Sequence, residues 1–520
     1  MRSIRNTQYA IRQLPSWWPT ALRLLLTAVV AYAVAYAINR LPPLYTAAAV
    51  AGSGAAFLLL RKPVLGAYAL VLSVPVQKAV SYDAGPIEIT VTQVLFVGVL
   101  AIWWAWLSVR EDRRLVLTPI AISLLLFFVA TLPSLLVTTS MPQSLAELSR
   151  WLVTILAYVI VTNSVCSRHE MNILIGCMLA AGMSEALLGL VQSYTGAGPA
   201  SFNVGGLLTR AYGTIGAPNS FAGYLNMSLP LAIALAVYHW GSWFSARNAL
   251  PILDRPSYLT FRNLRWPLLL TFVALTLFWA VITSLSRGAW IGLTFGVLAM
   301  VLALGRRAAA ALALLAAGAL LLVILGLAGA LPAPITDRVG LLLSQIVIFD
   351  PRGVVPNPDN YALVERMVHW QVAGNMFLYS PLVGIGIGNY NVLFSKFGVQ
   401  GWPTSAGHAH NYYLHSLAET GLVGTTFYLV MLITAVTAGI VALRRAREAR
   451  DAYGEAVVIG AIGVLVTFMA HNFFEDLHVL NMGIQWGAAL ALFSVVSGHE
   501  LSLRSRVSDR ASRQTLDTGH

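Results

Sequence analysis

Charge is what this 520-residue chain has least of. Asp, Glu, Lys and Arg make up 10% of it, while 58% is hydrophobic; soluble domains carry about 25% charged residues. So few polar groups cannot cover a surface that faces water, which excludes a soluble enzyme, a disordered chain and a nucleic-acid-binding domain. Cysteine is also scarce. Cys166 and Cys177 are the two present. They cannot form a disulfide framework, and both fall at or just inside expected cytoplasmic ends of spans, where thiols stay reduced. No P-loop occurs, and Gly384-x-Gly386-x-Gly388 departs from the G-x-G-x-x-G fingerprint without a strand before it, so no nucleotide site is visible. What remains is an all-α polytopic membrane protein.

Apolar runs of about 20 residues give fourteen candidate spans. They lie near 21–39, 44–60, 64–80, 89–109, 118–138, 150–166, 172–193, 220–240, 266–284, 288–305, 308–331, 412–443, 456–472 and 478–497. The expected organisation is therefore transmembrane helices 1–11 over 1–331 and a long outer-face loop with short helices over 332–411. Transmembrane helices 12–14 follow over 412–497, then a disordered cytoplasmic tail over 498–520. The first run follows Arg2, Arg5 and Arg12 and reads as a retained anchor. With a cytoplasmic N-terminus, inner segments hold 24 of the 33 Lys and Arg and outer ones nine. That agrees with the positive-inside rule and puts both termini inside. The net charge of +12 then records topology, with no nucleic-acid partner. Within the long loop, Pro358-Asp359-Asn360 reads as a helix start. Leu363, Met367, Trp370 and Phe377 follow at helical spacing, and Ser380-Pro381 ends the run.

In such a chain, ionisable groups near the bilayer are costly and mark candidate sites. Arg210 precedes a tightly turned segment, Tyr212 to Asn219, and Arg287 sits in the very short turn Ser284–Gly288. Each could snorkel to headgroups; as a pair they suit a diphosphate, whose oxygens match guanidinium forks. The segment Gly407-His408-Ala409-His410-Asn411 holds two His around one Ala, with His415 close behind. No Cys or evident carboxylate set completes a zinc site, so the expectation is no metal. A His there suits proton transfer better. The last outer turn carries Glu475-Asp476, readable as an orienting pair or as a solvated turn. Glu185, within a span, calls for an internal structural partner.

The spacing His410-Asn411, nine residues, then Gly421-x-x-Gly424 resembles the core pattern of the O-antigen ligase and polymerase family of bacterial envelope enzymes. The Gly-rich run Ser380–Asn389 is similar to the family's approach to that pattern. Arg210 with Pro218-Asn219, and Ser286-Arg287-Gly288, look like its two arginine-bearing outer segments. The resemblance covers roughly residues 180–480. It implies transfer of a glycan from an undecaprenyl-diphosphate carrier to an acceptor hydroxyl, inverting, without metal, nucleotide or other cofactor. His410 would be the general base, Arg210 and Arg287 would hold the diphosphate, and Asp476, or Glu475 in its place, would be the late acidic residue. Asn411 and Asn219 would support them. The implied setting is the plasma (inner) membrane, with the active site on its periplasmic or outer face. The implied acceptor is lipid A core or a growing glycan.

The family's usual span count is about twelve, so a range of twelve to fourteen is expected. The shared residues serve ligases and polymerases alike, and they do not choose the acceptor. A transporter or flippase of lipid-linked glycans is the alternative from another class. It would explain many spans without a catalytic His, although the paired interrupted spans of transporters are not seen.

Overall fold

A computed structural model of the chain describes residues 54, 57–78, 81–84, 87–109, 115–204, 208–249, 257–329, 348–357, 360–399, 401–402, 404–405 and 407–498. The span expected near 21–39, most of that near 44–60, both termini and the tail lie outside these residues. The chain forms two compact units, Met1–Pro63 and Val64–His520. In the first, residues 57–61 are helical, with Arg61 over the Phe57 ring at 4.8 Å.

The described residues of the second unit are mostly helical. Its helices are α1 (Val64–Ser73), α2 (Val91–Val109), α3 (Pro119–Thr131), α4 (Met141–Ser164), α5 (Arg168–Thr195), α6 (Pro218–Asn226) and α7 (Leu229–Ala249). Then come α8 (Ser257–Thr283), α9 (Arg287–Ala303), α10 (Ala308–Leu327), α11 (Tyr361–Tyr379), α12 (Tyr390–Phe397), α13 (Tyr412–Glu448) and α14 (Ala452–His471). A last helix, α15, covers Gly483–Gly498. Two small antiparallel hairpins, which the sequence reading did not anticipate, pair Ser81–Ala84 with Ile87–Thr90 and Asn203–Val204 with Leu208–Thr209.

Among the described residues, eight helices are long and apolar enough to cross a membrane. The expected fourteen are not reached there. The run at 64–80 stops being helical at Ser73 and continues as turns to Lys78, because Pro75 removes a helix donor. The run at 288–305 forms a 17-residue apolar helix, at the short end of the range that spans a bilayer. Large apolar side chains face outward, for example Phe272 at 59% and Leu275 at 61% exposure, whereas Glu185, His471 and Gln485 are buried. Apolar surface outside and polar groups inside is the arrangement that lipid requires.

Two packing features position the candidate site. On α9, Gly288, Gly292 and Gly296 form a smooth stripe against α14; a Cβ on Gly292 would stand 2.9 Å from the Thr467 carbonyl oxygen. Small residues at this spacing let backbones approach closely. The second feature is the long loop. Its helix α11 occurs where the sequence predicts one, from a cap at Asn360 to Ser380. The buried face is displaced from the expected one. Val364, Met367, Val368, Val372 and Met376 face inward, while Leu363, Trp370 and Phe377 are only half-buried. The inward face packs into a local core with Ile385, Tyr390, Phe394 and Ala418, and that core sets the helix rotation.

Candidate active site

Arg210 follows the second hairpin and is tied down by backbone on both sides. Its N–H donates to Phe202 O at 2.8 Å, and the next amide, of Ala211, donates to Thr283 O at 3.2 Å. The side chain crosses to the turn after α8, where Nε donates to Ser284 O at 2.8 Å, and Nη2 donates to Asn219 Oδ1 at 2.9 Å. The turn between Arg210 and Asn219 is held by Glu185, whose carboxylate accepts the Thr214 N–H at 2.9 Å. Gln192 clasps Gly213 through both its amide N–H and its carbonyl. Glu185 thus has the internal structural partner expected of it.

Asn219 stands in the first turn of α6, and its Nδ2 donates to Glu475 Oε2 at 2.6 Å. Glu475 follows α14 in a turn that is not solvated: Glu475 is 2% and Asp476 7% exposed. The two acids diverge. Asp476 Oδ1 accepts the His478 N–H at 2.8 Å, an Asx-type closure of the turn. Glu475 turns toward the histidines, with Oε1 2.9 Å from His408 Nε2 and 3.7 Å from His410 Nδ1. Burial alone would raise the Glu475 carboxyl, but the two imidazoles against it outweigh burial and hold it well below the ordinary carboxylate range.

The histidine loop has a defined internal logic. The His410 N–H donates to His408 Nδ1 at 3.1 Å. That leaves His408 Nε2 to carry the proton that meets Glu475. His410 itself has φ of 48°, a left-handed conformation that costs a non-glycine residue on the order of 1–3 kcal/mol. Its Nε2 is buried and has no hydrogen-bond partner. The ring lies edge-on to His369, centroids 5.2 Å apart. Burial, then the nearby His410 and His408, lower His369 to about 3, so it is neutral. Asn411 caps α13, its Oδ1 accepting the Leu414 N–H at 3.1 Å.

Beyond the cap, the first of the paired glycines answers to backbone geometry. Gly421 sits at φ 63°, ψ −161°, an interruption within α13. A Cβ there would overlap the Leu382 carbonyl. The Gly-rich run lies against this interruption: Leu422 N–H donates to Pro381 O at 2.8 Å and Ile385 N–H to Ala418 O at 3.0 Å. Glu419 then accepts the N–H groups of Gly388 and Tyr390 at 2.7 and 2.8 Å. The glycine run and the histidine motif are therefore one hydrogen-bonded unit.

A small cavity of about 70 Å³ is lined by Arg210, Asn219, Arg287, Arg366, His471 and Glu475, with Ser286, Gly288 and Phe474 among its other walls. The structure thus brings Arg210, Arg287, Asn219 and Glu475 to one place. His410 stands behind Glu475 and does not line the cavity, while Asn411 and Asp476 serve the local backbone. Two lining residues were missed by sequence reasoning. Arg366 projects from α11, where it was one charge among several in a long loop. His471 ends α14, and both its ring nitrogens are buried without hydrogen-bond partners.

His408, His410 and Glu475 also bring three possible ligand atoms within 4.8 Å of one another. The carboxylate that seemed lacking for a metal site comes from the last turn. Two imidazoles and one carboxylate match the protein ligand count of a catalytic zinc site. However, Glu475 also belongs to the wall of a cavity with three guanidinium groups, a setting whose field favours an anion.

No curated protein matches the chain. Residues 272–429 match the family profile described as O-antigen ligase. That segment includes Arg287, Arg366, His410 and the Gly421–Gly424 pair, while Arg210, Asn219 and Glu475 lie outside it. With the polytopic helical architecture, this match supports an O-antigen ligase/polymerase-type membrane protein.

Proposed function

We propose that the protein transfers a glycan from an undecaprenyl-diphosphate carrier to an acceptor hydroxyl, with inversion, at the outer face of the plasma membrane. The observation that carries this reading is the single cavity in which Arg210, Arg287 and Arg366 converge beside Glu475, itself bound to the histidine pair. Three guanidinium groups are suited to the charge that grows on a departing diphosphate. Glu475 orients the His410 ring through Nδ1 and stabilises the imidazolium that forms, as a buried carboxylate does for a general base.

In this mechanism His410 Nε2 takes the acceptor hydroxyl proton while the oxygen attacks the anomeric carbon. The bond from that carbon to the phosphate oxygen breaks, and its electron pair leaves with the diphosphate. His408 is a positioning residue, because both its nitrogens are already engaged. Since Nε2 of His410 is buried, acceptor entry has to move its His369 neighbour or the His410 backbone.

The test uses the full chain in lipid nanodiscs with undecaprenyl-diphosphate glycan, without nucleotide or added metal. Carrier-linked glycan is followed with and without a separate acceptor. Transfer that needs the acceptor identifies a ligase; longer carrier-linked glycan without it identifies a polymerase. Transfer that is unchanged in His410→Asn removes the base assignment. Movement of the lipid across a bilayer with no transfer replaces this reading with a transporter.

A further inference from the structure

A second cavity, of about 330 Å³, is lined by Gln77, Thr90, Gln93, Gln143, Ser149, Arg150 and Asn481, with Ala146, Val479 and Leu480 completing it. It lies between the turn after α1, the starts of α2 and α4, and the segment before α15. Its volume is within the range of small-ligand sites, about 300–1,000 Å³. The chemistry differs from that of the arginine cavity: its polar groups are mostly side-chain amides and hydroxyls. Arg150, its one charged group, is paired with Glu147 at 2.7 Å.

The amides at its base are half used. Asn481 Nδ2 donates to Gln77 Oε1 at 2.8 Å and to Thr90 Oγ1 at 3.1 Å, and the Asn481 N–H also donates to Gln77 Oε1 at 3.1 Å. Gln77 is 1% and Asn481 3% exposed. Yet Gln77 Nε2 and Asn481 Oδ1 are buried with no partner. Buried polar atoms are nearly always satisfied, so an idle donor and an idle acceptor on two residues that line one cavity point to a ligand. A hydroxyl complements both, since it accepts one hydrogen bond and donates another. The rim adds Gln93 and Gln143, so several hydroxyls can be met at once.

We propose that this cavity is a carbohydrate subsite that takes a neutral pyranose unit of a glycan. The inference rests on the glycan-transfer reading above, since that reading supplies the ligand. The last turn links the two cavities, with Glu475 in one and Asn481 in the other. Six residues of chain span at most about 20 Å, a distance that a short oligosaccharide bridges. The bound unit belongs to the donor glycan or to the acceptor glycan, and the two are separable by experiment.

Saturation-transfer NMR on the full chain in nanodiscs tests the subsite, with two probes that lack diphosphate and lipid. One is the oligosaccharide released by acid from the host's lipid-linked donor; the other is the host's delipidated acceptor oligosaccharide. One probe is expected to bind, and Gln77→Leu and Gln143→Leu are each expected to weaken it at least tenfold. Gln143 stands at the rim outside the buried amide network, so that variant stays informative if Gln77→Leu fails to fold. Binding of neither probe at millimolar concentration, or binding that is unchanged in Gln143→Leu and in folded Gln77→Leu, overturns the subsite and leaves water as the occupant. Inorganic pyrophosphate binding, measured in parallel, reports on the arginine cavity. Its loss in Arg210→Ala with the sugar probe still bound separates the two sites. Sugar binding that persists where no transfer can be detected tells against the transfer reading and not against the subsite.

Discussion

Asn219 donates its side-chain amide to Glu475 at 2.6 Å while accepting from Arg210 at 2.9 Å. It thereby joins a cation proposed to grip the donor to a carboxylate proposed to steady the base. Asn219→Asp would place a second negative charge against Glu475. We expect a loss of at least tenfold in kcat/KM with the helical fold kept, measured as initial transfer rate in nanodiscs. Activity equal to wild type would show that the two halves of the site work independently.

Arg366 lies in the cavity with Arg210 and Arg287. A charge-assisted hydrogen bond is worth about 1.5–3 kcal/mol. Arg366→Ala should therefore cut kcat/KM by roughly ten- to a hundredfold, with Arg366→Lys recovering part of it, because lysine keeps the charge and loses the fork. Initial rates against donor concentration check this; a wild-type rate in Arg366→Ala would remove it from the site.

The left-handed backbone at His410 makes Asn a better replacement than Ala, since Asn tolerates that region. The expected result for His410→Asn is an unfolding temperature close to wild type and a fall in turnover of about 10²–10⁴-fold, the usual worth of a positioned base. His408→Gln should lose less, because His408 acts through Glu475 and the His410 backbone amide and does not itself take the proton. Equal losses in the two variants would contradict this division of roles.

His369 gives the fold an acid-sensitive limb. Its folded value, lowered to about 3, is below the ordinary value of about 6.5, so the neutral ring contributes fully above pH 6.5. That contribution is lost as pH falls from there toward 3, at no more than about 1.4 kcal/mol per pH unit. Glu475, also depressed, adds its own loss only below about pH 4.3. Unfolding temperature should thus decline between pH 6.5 and 4.5, and His369→Gln should flatten that decline. A slope identical in the variant would assign it elsewhere.

Gly421 holds φ 63°, ψ −161°, a region open essentially to glycine alone. Gly421→Ala adds about 1–3 kcal/mol of backbone strain and overlaps the Leu382 carbonyl. Gly424→Ala meets only the Thr420 side chain. Thermal unfolding should show Gly421→Ala as the more damaging change; the reverse order would mean the interruption of α13 is absent in the membrane.

Much of this arrangement was legible in the sequence because charge is so rare in it. Arg210 and Arg287 stood out in short turns between apolar runs, and the structure puts both in one cavity. Arg366 did not stand out, because it shares a long mixed-charge loop with Asp350, Arg352 and Glu365. Glu475 and Asp476 were inseparable as neighbours; which one faces the histidines depends on a turn closed by the His478 amide. The helix over Tyr361–Tyr379 was visible in its caps, but its rotation was not, since the residues it packs on come from 385–418. The break of the 64–80 run at Pro75 was obscured by hydropathy that continues through it.

The glycine stripe of α9 has a consequence at a distance. Arg287 opens that helix, and His471 closes α14 with Glu475 in the turn just beyond, so the gap between cation and carboxylate is set by how deeply two rods interlock along their length. Gly296 lies nine residues below Arg287, about 13 Å down the helix. A side chain inserted there would act as a wedge at mid-depth and spread the far ends. Donor affinity would then respond to a residue that never meets the donor, and the mouth of the cavity would be gauged from inside the bundle.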